Sequence, residues 1–352
     1  MKKALLPLMI ASLVPAAAFA DVTVYGKAFV TWQSTDLQTG QNYTELVNNA
    51  SRIGLKGSES INEDTKVIYQ FEYQTKVDDG SNPNNYSCSA TSTTTTPAAT
   101  TKTTCTATGG QTFAQRNIFV GLQGNFGVAK LGMFDTPLKN AQDKVDLFND
   151  LIGDMAAVIQ GETRAKNVVQ YSTLEFNHIS GNFAYVNSEA DTNGTVGGKS
   201  ASTKNGYSAS VVYSTKNVYL ALANDHNVTN ALNKTLVVSG LDTDILRAVG
   251  RFVVGPVTLG ALYETYDNGV IDENGYLASV KWDVAPKWAL KAQVGKSDMI
   301  TIGGQTTSLG LDYKLSKNTT LLGYYTHTKD DVADKAKQRD DNYIGAGIEF
   351  NF

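Results

Sequence analysis

The chain has 352 residues, of which 41% are hydrophobic and 18% are charged, and its formal net charge is −4. An acidic chain gives no support for nucleic-acid binding. Because the three histidines are scattered and the two cysteines, Cys88 and Cys105, lie in one segment, the sequence predicts no metal site and no cofactor. The modest hydrophobic fraction does not exclude a membrane protein, since a transmembrane β-barrel exposes only every second strand residue to lipid.

Residues 1–20 predict a secretory signal peptide. Lys2 and Lys3 precede an apolar run, and the segment Ala18–Ala20 has the A-x-A form of a cleavage site. The run is shorter than the roughly 18 apolar residues of a membrane-spanning helix. We therefore expect export of the chain and a mature protein that covers residues 21–352.

The first part of the mature chain alternates apolar and polar residues, which is typical of half-buried β-strands. The pattern covers Val22–Thr35, Asn49–Ser58 and Thr65–Thr75, and it resumes at Thr112–Gln123 and Val128–Met133. These segments predict five strands in which one face is apolar and the other polar.

The segment 78–111 breaks this pattern. It is rich in threonine and serine and cannot bury enough apolar surface to form a core, so it predicts a long external loop. Cys88 and Cys105 both lie in it. In an oxidising compartment two nearby cysteines are expected to form a disulfide, which would close this one loop. A reactive thiol pair is the alternative.

The segment 134–163 also does not alternate. It carries six carboxylates and only two lysines. Apolar residues such as Leu147, Leu151 and Met155 argue against disorder. We expect this segment to fold into the lumen of a β-barrel and to narrow it.

The rest of the chain, from Arg164 to Phe352, predicts a regular meander of further strands. The connections between them are alternately very short, as at Gly255-Pro256, and long and polar, as at Glu189–Thr203. Outer-membrane barrels have this arrangement, whereas a soluble β-sandwich has no reason to sort its loops in this way. The whole pattern predicts an all-β fold, an antiparallel transmembrane barrel of about sixteen strands that forms a single domain.

The last strand supports contact with lipid. Its alternate residues are apolar and share one face, which ends at the final residue. In a barrel that face meets the membrane. These residues are Ile344, Ala346, Ile348, Phe350 and Phe352.

At this point the chain resembles the Gram-negative general diffusion porins of the trimeric, sixteen-stranded kind. Four features carry the resemblance, which covers essentially the whole mature chain: Val24–Lys27 (VYGK), Ser51–Gly57 (SRIGLKG), Arg116–Leu122 (RNIFVGL) and the terminal Phe352. The resemblance implies a homotrimer in the outer membrane, surrounded by lipid and lipopolysaccharide. It also implies that Phe352, with Phe350, is the signal read by the barrel-assembly machinery.

The resemblance further implies a constriction in which basic residues of the barrel wall face acidic residues of the third loop. By motif, the wall residues would be Lys27, Arg52 and Arg116, and Arg164 follows from its place after the third loop. Alternation places Lys27, Arg52, Arg164 and also Lys56 on the lumenal face. For Arg116 the alternation is ambiguous, because Ile118 and Val120 share its face.

The loop is where this chain departs from the family, because the common Pro-Glu-Phe-Gly-Gly turn is absent. We expect Asp146, Asp150 and Asp154 to line the constriction, followed by Asp143. Their spacing of three, four and four residues would place them on one face of a helical turn. Leu147, Leu151 and Met155 could then pack against the wall.

The predicted function is a passive channel for small hydrophilic solutes and ions, with a mild preference for cations. Transport of this kind needs no catalytic group. A channel specific for a sugar or another nutrient is the first alternative. An outer-membrane barrel enzyme is a remote one, because it would need a nucleophile with an oriented base and the chain has no G-x-S-x-G motif.

Overall fold

The computed structural model describes residues 22–78, 86–95, 98–107, 113–188, 195–196, 199–200, 204–228, 242–270, 272–298, 304–330 and 339–352. The predicted signal peptide at residues 1–20 lies outside the described residues. Among the helices that are described, none has the length and apolar character needed to cross a membrane.

The chain folds into a large antiparallel sheet whose strands follow one another in sequence, together with two small hairpins. The strands are β1 (Thr23–Asp36), β2 (Asn42–Asn48), β3 (Arg52–Ser60), β4 (Thr65–Thr75), β5 (Tyr86–Thr95), β6 (Ala98–Ala107), β7 (Phe113–Gly124), β8 (Gly127–Asp135), β9 (Arg164–Ser172), β10 (Ile179–Val186), β11 (Thr195–Val196), β12 (Lys199–Ser200), β13 (Gly206–Ser214), β14 (Val218–His226), β15 (Asp244–Val254), β16 (Val257–Asp267), β17 (Asp272–Ala285), β18 (Trp288–Ser297), β19 (Gly304–Lys314), β20 (Thr319–Lys329) and β21 (Asp340–Asn351). One short helix, α1 (Pro137–Asn140), and a 3₁₀ turn (Met155–Ala157) lie between β8 and β9.

The large sheet closes on itself because β1 pairs with β21 along most of its length. It contains seventeen strands but only sixteen positions around the barrel, since β2 and β3 both pair with β1, one after the other. The interruption between them centres on Ala50, whose φ of 52° is left-handed. There the Ser51 hydroxyl accepts the backbone N–H of Phe29, which replaces a ladder hydrogen bond. The predicted sixteen-stranded antiparallel barrel is confirmed, although the sequence pattern missed β2.

The barrel has the polarity expected of a membrane protein. Apolar side chains such as Val211, Leu222 and Ile344 are exposed on its outside, whereas polar ones such as Thr326 and Ser208 are buried on its inside. A soluble protein shows the opposite arrangement. The alternation along the strands therefore gives the barrel an apolar outer face, which suits lipid, and a polar lumen.

The segment predicted as a long external loop contains a hairpin of its own. β5 and β6 pair with each other and form a sheet separate from the barrel. The register places Cys88 directly opposite Cys105. Directly opposed residues of antiparallel strands have Cα atoms about 4.5–5.5 Å apart, which lies within the usual range of a disulfide, about 4.4–6.8 Å. The predicted disulfide is thus compatible with the backbone.

This register leads to a prediction for the oxidised protein. Protein purified without reductant should contain no free thiol, and a Cys88→Ser variant should contain one. Since the bridge closes only the hairpin, its roughly 3 kcal/mol of loop-closure stabilisation should not change the thermal midpoint of the barrel. Thiol titration and thermal unfolding of the wild type and of a double serine variant test this. Two free thiols in the unreduced wild type would contradict it.

Candidate functional site: a constriction inside the barrel

A loop of residues 136–163, here called the constriction loop, runs from β8 into the lumen and returns to β9. It begins with Thr136, whose hydroxyl accepts the backbone N–H of Lys139 and caps α1. Near its end, Asp154 caps the 3₁₀ turn by accepting the N–H of Ala156. The remaining residues form turns and irregular segments. The predicted insertion of this segment into the barrel is what the structure shows.

The apolar side chains of the constriction loop pack onto the wall formed by β13–β20 and by Phe29 of β1, where they form two buried clusters. Three wall glycines make room for them, because a Cβ atom at any of these positions would lie only about 3 Å from a loop side chain. The pairs are Gly260 with Val145, Gly295 with Val158 and Gly310 with Phe148. Small residues on the wall and larger ones on the loop therefore interdigitate. Leu151 and Met155 are buried in these clusters and Leu147 is partly buried against one, as predicted.

Polar wall side chains satisfy the loop backbone. The Gln293 amide accepts the N–H of Leu147 at 2.7 Å and donates to the carbonyl of Gly153 at 3.1 Å. Ser279 donates to the carbonyl of Val145 at 2.6 Å. Buried backbone groups without such partners would be costly, so these side chains stabilise the docked loop.

Asp146 belongs to this docking surface rather than to the lumen. Its carboxylate accepts the backbone N–H groups of Phe148 and Met155, and it also accepts the Gln293 amide. Burial raises the pKa of Asp146 to about 6 despite these hydrogen bonds. The structure does not place this residue among those that line the cavity, in contrast to our expectation.

The expected helical face of four aspartates does not form. Asp143 and Asp150 have φ values of 49° and 67°, in the left-handed region that interrupts a helix. Because the chain turns at both residues, the four aspartate side chains do not share one face. Asp146 faces the wall, whereas Asp143, Asp150 and Asp154 face the lumen.

A cavity of about 560 Å³ lies between the constriction loop and the strands β3, β4, β7 and β8. It is lined mostly by charged and amide side chains. They are Arg52, Glu72, Arg116, Asn117, Asp135, Lys139, Asn140, Gln142, Asp143, Asn149, Asp150, Asp154 and Glu162, together with Ala156 and Ile159. Five of the nine residues that were predicted to form the constriction therefore line this cavity.

Asp150 joins the loop to the basic wall. Its Oδ2 lies 2.5 Å from the Lys27 Nζ and 3.6 Å from an Arg52 guanidinium nitrogen. The register pairs Lys27 on β1 with Arg52 on β3, which explains why one carboxylate reaches both. Lys27 is only 8% exposed and lies behind this ion pair, so Arg52 is the cation that faces the cavity.

Arg116 reaches the lumen because of a β-bulge. Between the pairs Phe71–Ile118 and Tyr73–Gln115, β4 contributes one residue, Glu72, and β7 contributes two, Arg116 and Asn117. A bulge of this kind shifts the alternation by one residue. Arg116 can therefore face inwards although Ile118 faces outwards, and it forms an ion pair with Glu72 at 2.9 Å.

Arg164 and Lys56 lie outside the set that lines the cavity. Arg164 lies behind the wall surface, where it pairs with Asp135 at 2.9 Å and donates to Asn117 at 3.1 Å. Lys56 is exposed and lies over the Tyr25 ring, 5.2 Å from its centre. Arg164 thus supports the constriction indirectly. Lys56 reaches it only through Tyr25, whose hydroxyl donates to Glu72 at 3.0 Å.

The sequence did not single out the wall carboxylates Glu72 and Asp135, which pair with Arg116 and Arg164. The alternation of a strand gives no information on which cation a lumenal carboxylate meets. Sequence reasoning also missed Arg251, which pairs with Asp143 at 2.5 Å.

Within the described ranges, no group of three or more histidine, cysteine or acidic residues could hold a metal ion.

Comparisons with known proteins agree with the barrel fold. A model described as Gram-negative porin matches residues 6–333. The major outer membrane protein P.IB of Neisseria gonorrhoeae is 31% identical over 198 residues, 53% of this chain and 48% of that protein. Its counterpart in Neisseria sicca is 34% identical over 157 residues, 42% of this chain and 35% of that protein. The chain spans about half the length, or less, of these curated relatives that it matches.

Solved structures with similar folds are more distant in sequence. An anion-selective porin from Comamonas acidovorans gives a TM-score of 0.68 at 19% identity, covering 95% of this chain and 100% of that one. Salmonella typhi OmpF, in complex with daunomycin, gives 0.68 at 16% identity, covering 94% and 97%. At this identity the two structures show a shared fold alone.

The interdigitated glycines lead to a prediction about loop position. A Gly260→Leu change should displace the constriction loop, because the new side chain would overlap Val145 and overpacking of this kind typically costs about 1–3 kcal/mol. We expect a larger and noisier single-channel conductance in planar bilayers. Gly323→Leu is the matched control, since the nearest atom to a Cβ there is the Gly345 oxygen at 3.8 Å. Equal conductances for both variants and the wild type would contradict the prediction.

Proposed function

The chain belongs to the Gram-negative porin family, and we propose that it forms a water-filled channel through which small hydrophilic solutes and ions diffuse passively across the outer membrane. The observation that carries the proposal is the cavity beside the docked loop. It is polar and charged, and it lies inside a barrel whose outer surface is apolar. Selectivity in such a channel comes from its width and lining charge, and it requires no catalytic group.

We further propose that the channel prefers cations mildly. Six carboxylates line the cavity against three cationic side chains. Several of these carboxylates have cations behind them: Lys27 binds Asp150, Arg164 binds Asp135 and Arg251 binds Asp143. A permeating ion therefore meets the carboxylates first, but the field of the paired cations opposes them. This arrangement supports a weak preference rather than a strong one.

The proposed assembly is a homotrimer in contact with outer-membrane lipid and lipopolysaccharide. One structure with a similar fold, at 14% identity, is Vibrio cholerae OmpT in a trimer form, which supports this proposal. Phe352 pairs with the backbone of Gly26 and completes the junction of β21 with β1. We propose that Phe352 and Phe350, which stack on the outside of this junction, act as the signal for the barrel-assembly machinery.

Liposome swelling with sugars of graded size tests the proposed function. A passive channel of this size should admit small sugars at rates that fall smoothly with molecular mass and do not depend on stereochemistry. Empty liposomes and liposomes that carry heat-denatured protein are the controls. No swelling with any sugar would contradict a channel function. Selective swelling with one sugar among isomers of equal mass would instead indicate a substrate-specific channel.

The proposed selectivity leads to a separate prediction for Asp150. An Asp150→Asn change would leave Lys27 and Arg52 without their carboxylate, so the cation-to-anion permeability ratio should fall. A unit charge about 8 Å from an ion in water is worth roughly 0.5 kcal/mol, which corresponds to a change of about twofold. Reversal potentials in a salt gradient measure this ratio.

Asp64→Asn is the matched control for this experiment, since it removes the same charge from an exposed turn between β3 and β4. An unchanged ratio in Asp150→Asn, or an equal change in the control, would show that Asp150 does not set the selectivity. A wild-type current carried mainly by anions would contradict the proposed cation preference itself.

A further inference from the structure

Arg247 is a fully buried arginine in the wall of the barrel. It lies on β15, its side chain is 0% exposed, and it is the largest of the fully buried side chains. Arginine is rarely buried unless its guanidinium is completely paired. The hydrogen-bonding partners of Arg247 therefore indicate its structural role.

The guanidinium binds both ends of the constriction loop as well as the wall. Its Nε pairs with Glu264 of β16 at 2.6 Å, and Glu264 is also 0% exposed. One terminal nitrogen lies 3.0 Å from the Glu162 carboxylate and 3.4 Å from the Leu138 carbonyl, and the other donates to the Gln160 carbonyl at 2.6 Å. Leu138 belongs to the first turn of the loop, whereas Gln160 and Glu162 belong to its last residues.

The loop backbone is shaped to reach this guanidinium. Gly161 has a φ of 78°, in the left-handed region, and a Cβ at this position would lie 3.0 Å from the Arg247 NH2 and closer still to the Leu138 side chain. A glycine is therefore required where the returning chain passes its own beginning. The two ends of the loop meet at Arg247 because of this close approach.

We propose that Arg247 is the positioning residue of the constriction: by binding both ends of the loop and Glu264 at once, it determines where the loop, and with it Glu162, stands in the pore. Only the transport test of this inference rests on the proposed channel function, whereas the exchange test does not. The hydrogen bonds from Gln293 and Ser279 hold the middle of the loop, whereas Arg247 binds its two ends. A planar guanidinium with donors in fixed directions specifies a single arrangement of its partners.

The first test is hydrogen–deuterium exchange of the loop in the folded trimer or monomer as purified. In Arg247→Met, amides of residues 136–163 should exchange faster than in the wild type, while those of the barrel strands should be unchanged. Arg247→Lys should lie between the two, because an ammonium cannot reach all four acceptors. Lys281→Met is the control: it removes a wall cation whose partner, Asp283, also lies on β17, and it should leave exchange throughout the loop as in the wild type.

Removal of Arg247 alone also leaves Glu264 buried without a cation, which could disturb the wall itself. The double variant Arg247→Met/Glu264→Met removes both charges and separates the two effects, since a buried pair replaced by apolar residues is often well tolerated. We expect its barrel to be as heat-resistant as the wild type and its loop to exchange as fast as in Arg247→Met. If the loop amides of the double variant exchanged as slowly as in the wild type, the proposal would be overturned. The faster exchange in Arg247→Met would then be explained by the unpaired Glu264 carboxylate.

Transport supplies the second readout. Both Arg247 variants with methionine should admit larger sugars in liposome swelling than the wild type and Lys281→Met. A wild type that admits no sugar would contradict the proposed function while leaving the exchange result intact. Normal swelling by the wild type, together with unaltered exchange and an unaltered size limit in the double variant, would overturn the role of Arg247 alone.

Discussion

The constriction depends on one requirement: a loop that leaves the sheet and enters the lumen must find new partners for its backbone groups and apolar side chains. The wall opposite the basic strands supplies them. Gln293 and Ser279 bind the loop backbone, and the wall glycines receive its apolar side chains. Arg247 joins the two loop ends. Because unpaired backbone groups in a buried site are costly, the loop can remain inserted only where the wall matches it.

This requirement divides the barrel into two functional halves. The strands β13–β20 carry most of the docking surface, to which Phe29 of β1 also belongs, and the strands β1–β9 carry the wall charges that face the remaining space. The second half is not uniformly basic, because Glu72 and Asp135 stand among its arginines and pair with them. The transverse field is correspondingly weaker than an all-basic wall would give. Mild selectivity is the consequence that we propose, and it does not follow from net charge alone.

Strand alternation and loop lengths were sufficient to predict the sixteen-stranded barrel and the inserted loop, because both depend on local patterns. The residues of the site were only partly predictable. The bulge that turns Arg116 inwards leaves no mark in the sequence, and β2 was missed because its adjacent apolar residues Leu46 and Val47 break the alternation. The spacing of the loop aspartates suggested a helix, but whether an aspartate such as Asp146 faces wall or lumen depends on contacts with Gln293, more than a hundred residues away.

The most direct test of the docked loop is the accessibility of two single cysteines, placed in a background in which Cys88 and Cys105 are serine. Val145 is fully buried against the wall, whereas Asn149 is exposed and lines the cavity. With a small charged thiol reagent added to open channels in a bilayer, Asn149→Cys should react quickly and lose current, and Val145→Cys should be protected. Rapid reaction of both cysteines, or modification of Asn149→Cys without any change in current, would contradict a constriction formed by this loop.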